Sequence, residues 1–183
     1  MTAHTSKVTI HMAASLDFFI ARKDGSVSWL ETSDVYENGA SFEDAEELVK
    51  TIDCYVMGSR TYEDALRLGW PYGDVPVLVL TSRSLPADRD NVEFYSGDLR
   101  ELVGGRLRPR YRNIWVVGGA MVAREFIRLG LVDDIRISII PILLGDGTPF
   151  VDHVGIEQAL HLKVVTAFRN GIVELWYELR KTA

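Results

Sequence analysis

Three short segments of this 183-residue chain place glycine, hydroxyl groups and arginine where an apolar run ends, and the chemistry they share is the holding of phosphate. In Gly58-Ser59-Arg60-Thr61, backbone N–H groups, two hydroxyls and a guanidinium can face one anion. A purely local use is equally open, with Ser59 capping a helix and Arg60 in solvent. Thr81-Ser82-Arg83 follows an apolar run with two hydroxyls and a planar cationic fork, which suits a monoester phosphate such as the 2′-phosphate that separates NADPH from NADH. Taken singly, an exposed turn is the simpler account of it. In Val117-Gly118-Gly119-Ala120 the missing side chains let a backbone approach a pyrophosphate, and a helix N-terminus adds positive potential. This is not the G-x-G-x-x-G of a Rossmann site, and a tight turn explains a bare Gly-Gly pair as well.

For these turns to act together, the elements before them must lie side by side. Residues 8–15 read as a buried strand, 54–57 as a short apolar strand ending at Gly58, 75–80 as a β-branched strand, and 114–117 as a strand meeting Gly118. Helical patterns follow over 41–50, begun by Ser41 with Glu43 and Asp44, near 62–68 up to Gly69, and at Met121, Val122, Phe126, Ile127 and Leu131. Strands alternating with helices predict an α/β layer fold with mostly parallel strands at its centre. Residues 135–144, 160–168 and 172–179 read as strands without helices between them, and Asn170-Gly171 predicts a type I′ hairpin turn. The sheet is therefore expected to be mixed, with an antiparallel C-terminal hairpin, in one domain spanning 1–183.

Several segments together resemble the dihydrofolate-reductase-like superfamily, and within it the reductase (C-terminal) domain of the bifunctional riboflavin-biosynthesis deaminase-reductases. They are Met12-Ala13-Ala14-Ser15-Leu16-Asp17 with Ile20-Ala21, the stretch from Val56 to Glu63, Thr81-Ser82-Arg83, Val116 to Ala120, and Pro141-Ile142-Leu143-Leu144-Gly145-Asp146-Gly147. The resemblance implies a three-layer α/β/α fold and NADPH lying across the strand ends at Gly58, Ser59, Arg60, Thr61, at Thr81, Ser82, Arg83 and at Val117, Gly118, Gly119, Ala120. Ala14 and Ile20 would flank the nicotinamide. At the substrate end it implies Asp17, Asp34 and Ser138 as the polar candidates: Asp34 lies five residues beyond Trp29, as the buried acid of folate-type reductases follows its tryptophan, and Ser138 matches the hydroxyl facing that acid. Ser33-Asp34 also reads as an ordinary loop or helix cap.

The implied activity is hydride transfer from NADPH to a small pyrimidine or pterin, with 5-amino-6-(5-phosphoribosylamino)uracil first among substrates. Phe18 stands where the riboflavin-type Ser-Leu-Asp-Gly pattern has glycine. Folate reductases hold a substrate carboxylate with an arginine before the serine-arginine turn, and residues 68–82 contain none, which makes a dihydrofolate reductase the second reading. The zinc deaminase motifs H-x-E and P-C-x-x-C are absent, so a reductase half is the most this chain is expected to be. A nucleotide-binding scaffold without turnover is the third reading, since a fold does not fix a function.

Composition narrows the classes further. A net charge of -6 offers no footprint for nucleic acid or anionic membrane, and 47% hydrophobic with 25% charged residues suits a globular domain able to bury roughly 70% of its unfolded surface. The single cysteine, Cys54, excludes an intramolecular disulfide and a cysteine-built zinc site, and no metal is expected. The polar start of the chain and the short apolar runs predict a cytoplasmic protein. Ile139, Ile140, Ile142 and Leu143 are too apolar for a free strand edge, so either they are buried in the monomer or they contribute to a homodimer, the expectation adopted here.

Overall fold

A computed structural model describes residues 5–41 and 49–180. An eight-stranded sheet forms the centre, built from β1 (Lys7–Ser15), β3 (Cys54–Gly58), β4 (Val77–Leu80), β5 (Val92–Tyr95), β6 (Asn113–Gly118), β7 (Asp134–Ile140), β9 (Leu160–Ala167) and β10 (Val173–Leu179). Its order is β5-β4-β3-β6-β1-β7-β10-β9. The first six of these strands run parallel, and β10 pairs antiparallel with both β7 and β9. A two-stranded ribbon of β2 (Phe19–Ala21) and β8 (Thr148–Pro149) lies apart from it.

Why these residues make strands is visible in β1, where Val8, Ile10, Met12 and Ala14 are buried and alternate with half-buried residues on the opposite face. The buried set packs beneath α2 (a helical stretch over 99–110) and α3 (Ala120–Arg128), against Leu102, Val103, Leu107, Ala123 and Phe126. On the opposite face, α1 (Ser59–Arg67) covers Tyr55, Met57, Val77 and Val79 with Tyr62 and Ala65. A third cluster, Trp29, Ile140, Phe168 and Ile172, closes the β7–β10 side. Helices on both faces of a sheet whose central parallel strands β3, β4 and β6 are largely apolar form the three-layer α/β/α arrangement expected from the sequence.

Differences are local. Asn170-Gly171 does not form a type I′ turn: Gly171 has φ +77°, Asn170 has no positive φ, and the Gly171 N–H donates to Phe168 O at 3.0 Å. Phe168 N–H also donates to Ile172 O, so the loop is the three-residue kind, a turn followed by a glycine in the left-handed region. The strand expected over 135–144 ends at Ile140, because Pro141 has no N–H for the ladder. That strand is no edge either, since β7 lies between β1 and β10; of Ile139, Ile140, Ile142 and Leu143, Ile140 is buried and Leu143 alone is exposed. The apolar edge is β9, which leaves Leu160, Leu162, Val164 and Val165 exposed. The helix near 62–68 begins earlier, at Ser59. The helix expected over 41–50 falls, but for its ends, outside the described residues.

Candidate functional site

The C-terminal ends of β3, β4 and β6 stand next to one another, because β3 pairs with β4 on one side and β6 on the other. Gly58 is in register with Leu80, and Met57 with Gly118, so the turns after these strands share one rim of the sheet. A Cβ placed on Gly58 would sit 3.2 Å from Val122 Cγ2 and 3.9 Å from Gly118 O. A Cβ there would press on the Val122 side chain, while the Gly118 carbonyl would stay at ordinary contact distance. Gly118 has φ +116°, a backbone that favours glycine, and a Cβ there would lie 2.8 Å from Met12 Cε and have to displace that flexible tip. Thr61 Oγ1 lies 3.7 Å from the Cβ position of Gly119, so the first and third turns face each other there.

The first and second turns meet through Arg83, whose Nη1 donates to Ser59 Oγ at 3.5 Å. Ser59 therefore does not cap its helix; Gly58 is the cap residue and no side chain bonds to it. Thr81 Oγ1 accepts from the Arg83 N–H at 3.0 Å, which folds that turn back on itself. The Arg83 guanidinium is also bidentate to Glu63, at 3.0 and 2.7 Å. This pairing holds the Glu63 carboxyl below its ordinary range and raises Arg83. Glu63 ends one of the segments that carry the resemblance, and nothing in its position along the chain marked it as a competitor for Arg83. Arg60 and Ser82 are exposed, and Ala14, Ile20 and Val117 lie in or against the core, with Ala14 wholly buried.

At the other end of the rim, Asp17 is fully engaged. Its carboxylate accepts from Ser15 Oγ at 2.6 Å, Leu144 N–H at 3.1 Å and Gly145 N–H at 2.7 Å, tying the loop after β1 to the loop after β7. The Ser15 hydroxyl is the main cause that holds this carboxyl below its usual value, against a smaller opposing effect of burial. A carboxyl with a depressed folded-state pKa stabilises the fold above its unfolded pKa and loses that effect as pH falls through the folded one. The tie is thus expected to hold at pH 5 and to loosen only below about pH 4. Hydrogen exchange of the Leu144 and Gly145 amides checks this, with Asp17→Ala expected to speed both above about pH 4 and the difference from wild type to fade below it. Phe18, next in the chain, has φ +62° and is 45% exposed, so a bulky residue holds a left-handed position that glycine takes more readily.

Asp34 is exposed, and its carboxylate rests on the hairpin: a Cβ on Gly171 would fall 2.2 Å from Asp34 Oδ2. Ser138 belongs to a different group. Ala13, Ser138 and Glu174 form one row across β1, β7 and β10, and His11, Arg136 and Trp176 form the next. His11 Nε2 lies 3.0 Å from Ser138 Oγ and 3.2 Å from Glu174 Oε2. Arg136 pairs with Glu174, and the His11 ring stacks on Trp115 with centroids 4.5 Å apart. Burial alone would raise the Glu174 carboxyl, yet bonds from His11 and Arg136 outweigh it and hold the group below its ordinary value. Burial likewise lowers His11, opposed by Glu174. The sequence reading missed His11, Arg136 and Glu174, although charged residues between apolar ones in 135–137 and 173–175 marked one polar face.

The family model described as the RibD C-terminal domain matches residues 6–174. The chain belongs to the RibD C-terminal domain family. A relative in Bacillus subtilis (strain 168), the uncharacterized protein YwjB, is 30% identical over 169 residues, covering 91% of this chain and 94% of that protein. Among solved structures, a protein provisionally assigned to riboflavin biosynthesis in Shewanella sp. PV-4 superposes with a TM-score of 0.82 at 24% identity, over 96% of this chain and 99% of its own. Dihydrofolate reductase from Enterococcus faecalis, complexed with NADP(H), superposes with a TM-score of 0.60 at 21% identity, over 96% and 97%. These two likenesses bear on the fold, which is that of dihydrofolate reductase. In this RibD C-terminal domain, the three strand-end turns and the polar rows of β1, β7 and β10 are the features available for chemistry. No helix among the described residues is long and apolar enough to cross a membrane.

Proposed function

We propose that this RibD-type domain is an NADPH-dependent reductase that delivers hydride to a small pyrimidine or pterin, with 5-amino-6-(5-phosphoribosylamino)uracil as the leading substrate. The observation that supports it best is the placing of three turns, each suited to phosphate, along one rim: Arg83 bonds to Ser59, Gly58 is in register with Leu80 and Met57 with Gly118, and Thr61 faces Gly119. The residues fit the cofactor. Ser59, Arg60, Thr81, Ser82 and Arg83 would hold the 2′-phosphate, Gly58, Thr61 and Val117 to Ala120 the pyrophosphate, and Ala14 with Ile20 would border the nicotinamide. When bound, NADPH supplies the hydride, and the chain supplies binding, orientation and a dry pocket. Substrate would enter at the end where Asp17 ties the loops, with Ser138 on the neighbouring strand.

The test is a fluorescence titration with NADPH and NADH. The protein is expected to prefer NADPH, and Arg83→Ala to weaken NADPH binding by roughly tenfold while leaving NADH nearly unchanged, since one charge-assisted bidentate contact is lost. Glu63→Gln should tighten NADPH several-fold by freeing Arg83. Equal affinity for the two cofactors, unmoved by either change, would argue against the reading. NADPH oxidation with dihydrofolate but not with the uracil would favour a dihydrofolate reductase, and binding without oxidation a scaffold.

The same reading includes a cytoplasmic homodimer, in which a second copy covers the apolar β9 edge. Light scattering is expected to give twice the chain mass, and Val164→Lys with Leu162→Lys to give a monomer; a monomeric wild type removes this part.

A further inference from the structure

Resting on the proposed function, and naming the substrate group it recognises, we propose that Ser138 is held as a hydrogen-bond donor to a carbonyl oxygen or an unprotonated ring nitrogen of the substrate, with His11, Glu174 and Arg136 as the positioning residues. Which way the Ser138 hydroxyl points is decided by the histidine beside it. Glu174 is 5% exposed and paired with Arg136, so its carboxylate is an obligate acceptor, and Oε2 lies 3.2 Å from His11 Nε2. An anionic acceptor at that distance requires the proton on Nε2. His11 Nδ1, buried and without a hydrogen-bond partner, is then the bare nitrogen of a neutral ring. The fixed Nε2–H also faces Ser138 Oγ at 3.0 Å, so the serine oxygen accepts from His11. Its own proton must go elsewhere, and the alternative acceptor on the protein, Glu174 Oε2, lies at 3.5 Å, the limit of a hydrogen bond. A hydroxyl that accepts one good bond and donates only a poor one favours a ligand with an acceptor over one with a donor.

The position of Ser138 matches this use. It is in register with Ala13 near the C-terminal end of β1 and shares the sheet face of His11 and Ala13, while the Ala14 side chain lies on the opposite face. Asp34, the acid expected from the sequence to face Ser138, lies exposed at the hairpin turn instead. The buried carboxylate that reaches Ser138 is Glu174, and it acts through orientation.

Two measurements test this. The first, nitrogen-15 chemical shifts of the His11 imidazole, needs no substrate: the wild type is expected to carry its proton on Nε2, and Glu174→Gln, which can donate an amide N–H to Nε2, to move it to Nδ1. A wild-type ring protonated on Nδ1 overturns the proposal. The second is binding of 6-aminouracil, whose ring carbonyls are acceptors, to NADP⁺-saturated protein by calorimetry. Ser138→Ala and Glu174→Gln are each expected to weaken it roughly tenfold or more, and the double variant to be no weaker than either alone, with Ser138→Thr close to wild type. Cofactor affinity should stay within twofold in all of them, which separates this from a general loss of fold. Full binding by Ser138→Ala overturns the donor assignment. If the wild type fails to bind 6-aminouracil, the substrate class of the proposed function fails, while the imidazole shifts still decide the orientation of Ser138.

Discussion

Replacing Gly118 with valine is expected to lower NADPH affinity more than a hundredfold and to leave a folded but weakened domain. The residue sits at φ +116°, where a side chain is strained by roughly 1–3 kcal/mol, and its Cβ would lie 2.8 Å from Met12 Cε. The methionine tip can move, so the fold can absorb the change. The proposed cofactor contact cannot, because branched methyls would occupy the space through which backbone N–H groups reach a pyrophosphate. Affinity read by fluorescence, with circular dichroism as the control for folding, checks this. Gly118→Val protein that binds NADPH as tightly as wild type would move the cofactor away from the third turn.

The second large effect concerns stability. Phe126 is fully buried in α3, against the face of β1 and β6 beneath it. Phe126→Ala removes a large apolar side chain from a filled layer and leaves a cavity, at a cost of about 3–5 kcal/mol. For a domain of ordinary stability, about 5–15 kcal/mol, that is a large fraction of the total. A urea titration should show the midpoint falling sharply with an unchanged slope. A loss below about 1 kcal/mol would mean that α3 is not packed against the sheet as described.

The parallel half of the sheet was legible because β3, β4 and β6 are short apolar runs ending in glycine or hydroxyl residues, and burial on both faces demands that pattern. The outermost parallel strand, β5, escaped because Val92, Glu93, Phe94 and Tyr95 are half-exposed and lack a continuous apolar signal. The stretch over 99–110 escaped for another reason: Gly104, Gly105 and Pro109 read against a helix. There Asp98 Oδ1 accepts from the Arg100 and Glu101 N–H groups, and buried Leu102, Val103 and Leu107 hold the segment through a π turn. Tertiary packing overrides propensity in that segment.

The rim turns were legible as a set because each is local, a glycine, hydroxyl and arginine within four residues. The Ser138 group was not, since His11, Ser138 and Glu174 are brought together only by the register of β1 with β7 and of β7 with β10. Alternation along each strand marks a polar face, and only the register brings those faces together. Asp34 shows the converse: its distance from Trp29 suited a buried acid, and its position at the hairpin, exposed beside Gly171, does not.

A crystal structure with NADP⁺ bound bears on all of this at once. The 2′-phosphate is expected against Arg83 and Ser59 with Glu63 displaced, the pyrophosphate over Gly118 and Gly119, and the nicotinamide beside Ala14. Cofactor density elsewhere, with Arg83 still closed on Glu63, would contradict a phosphate cradle formed by the three turns.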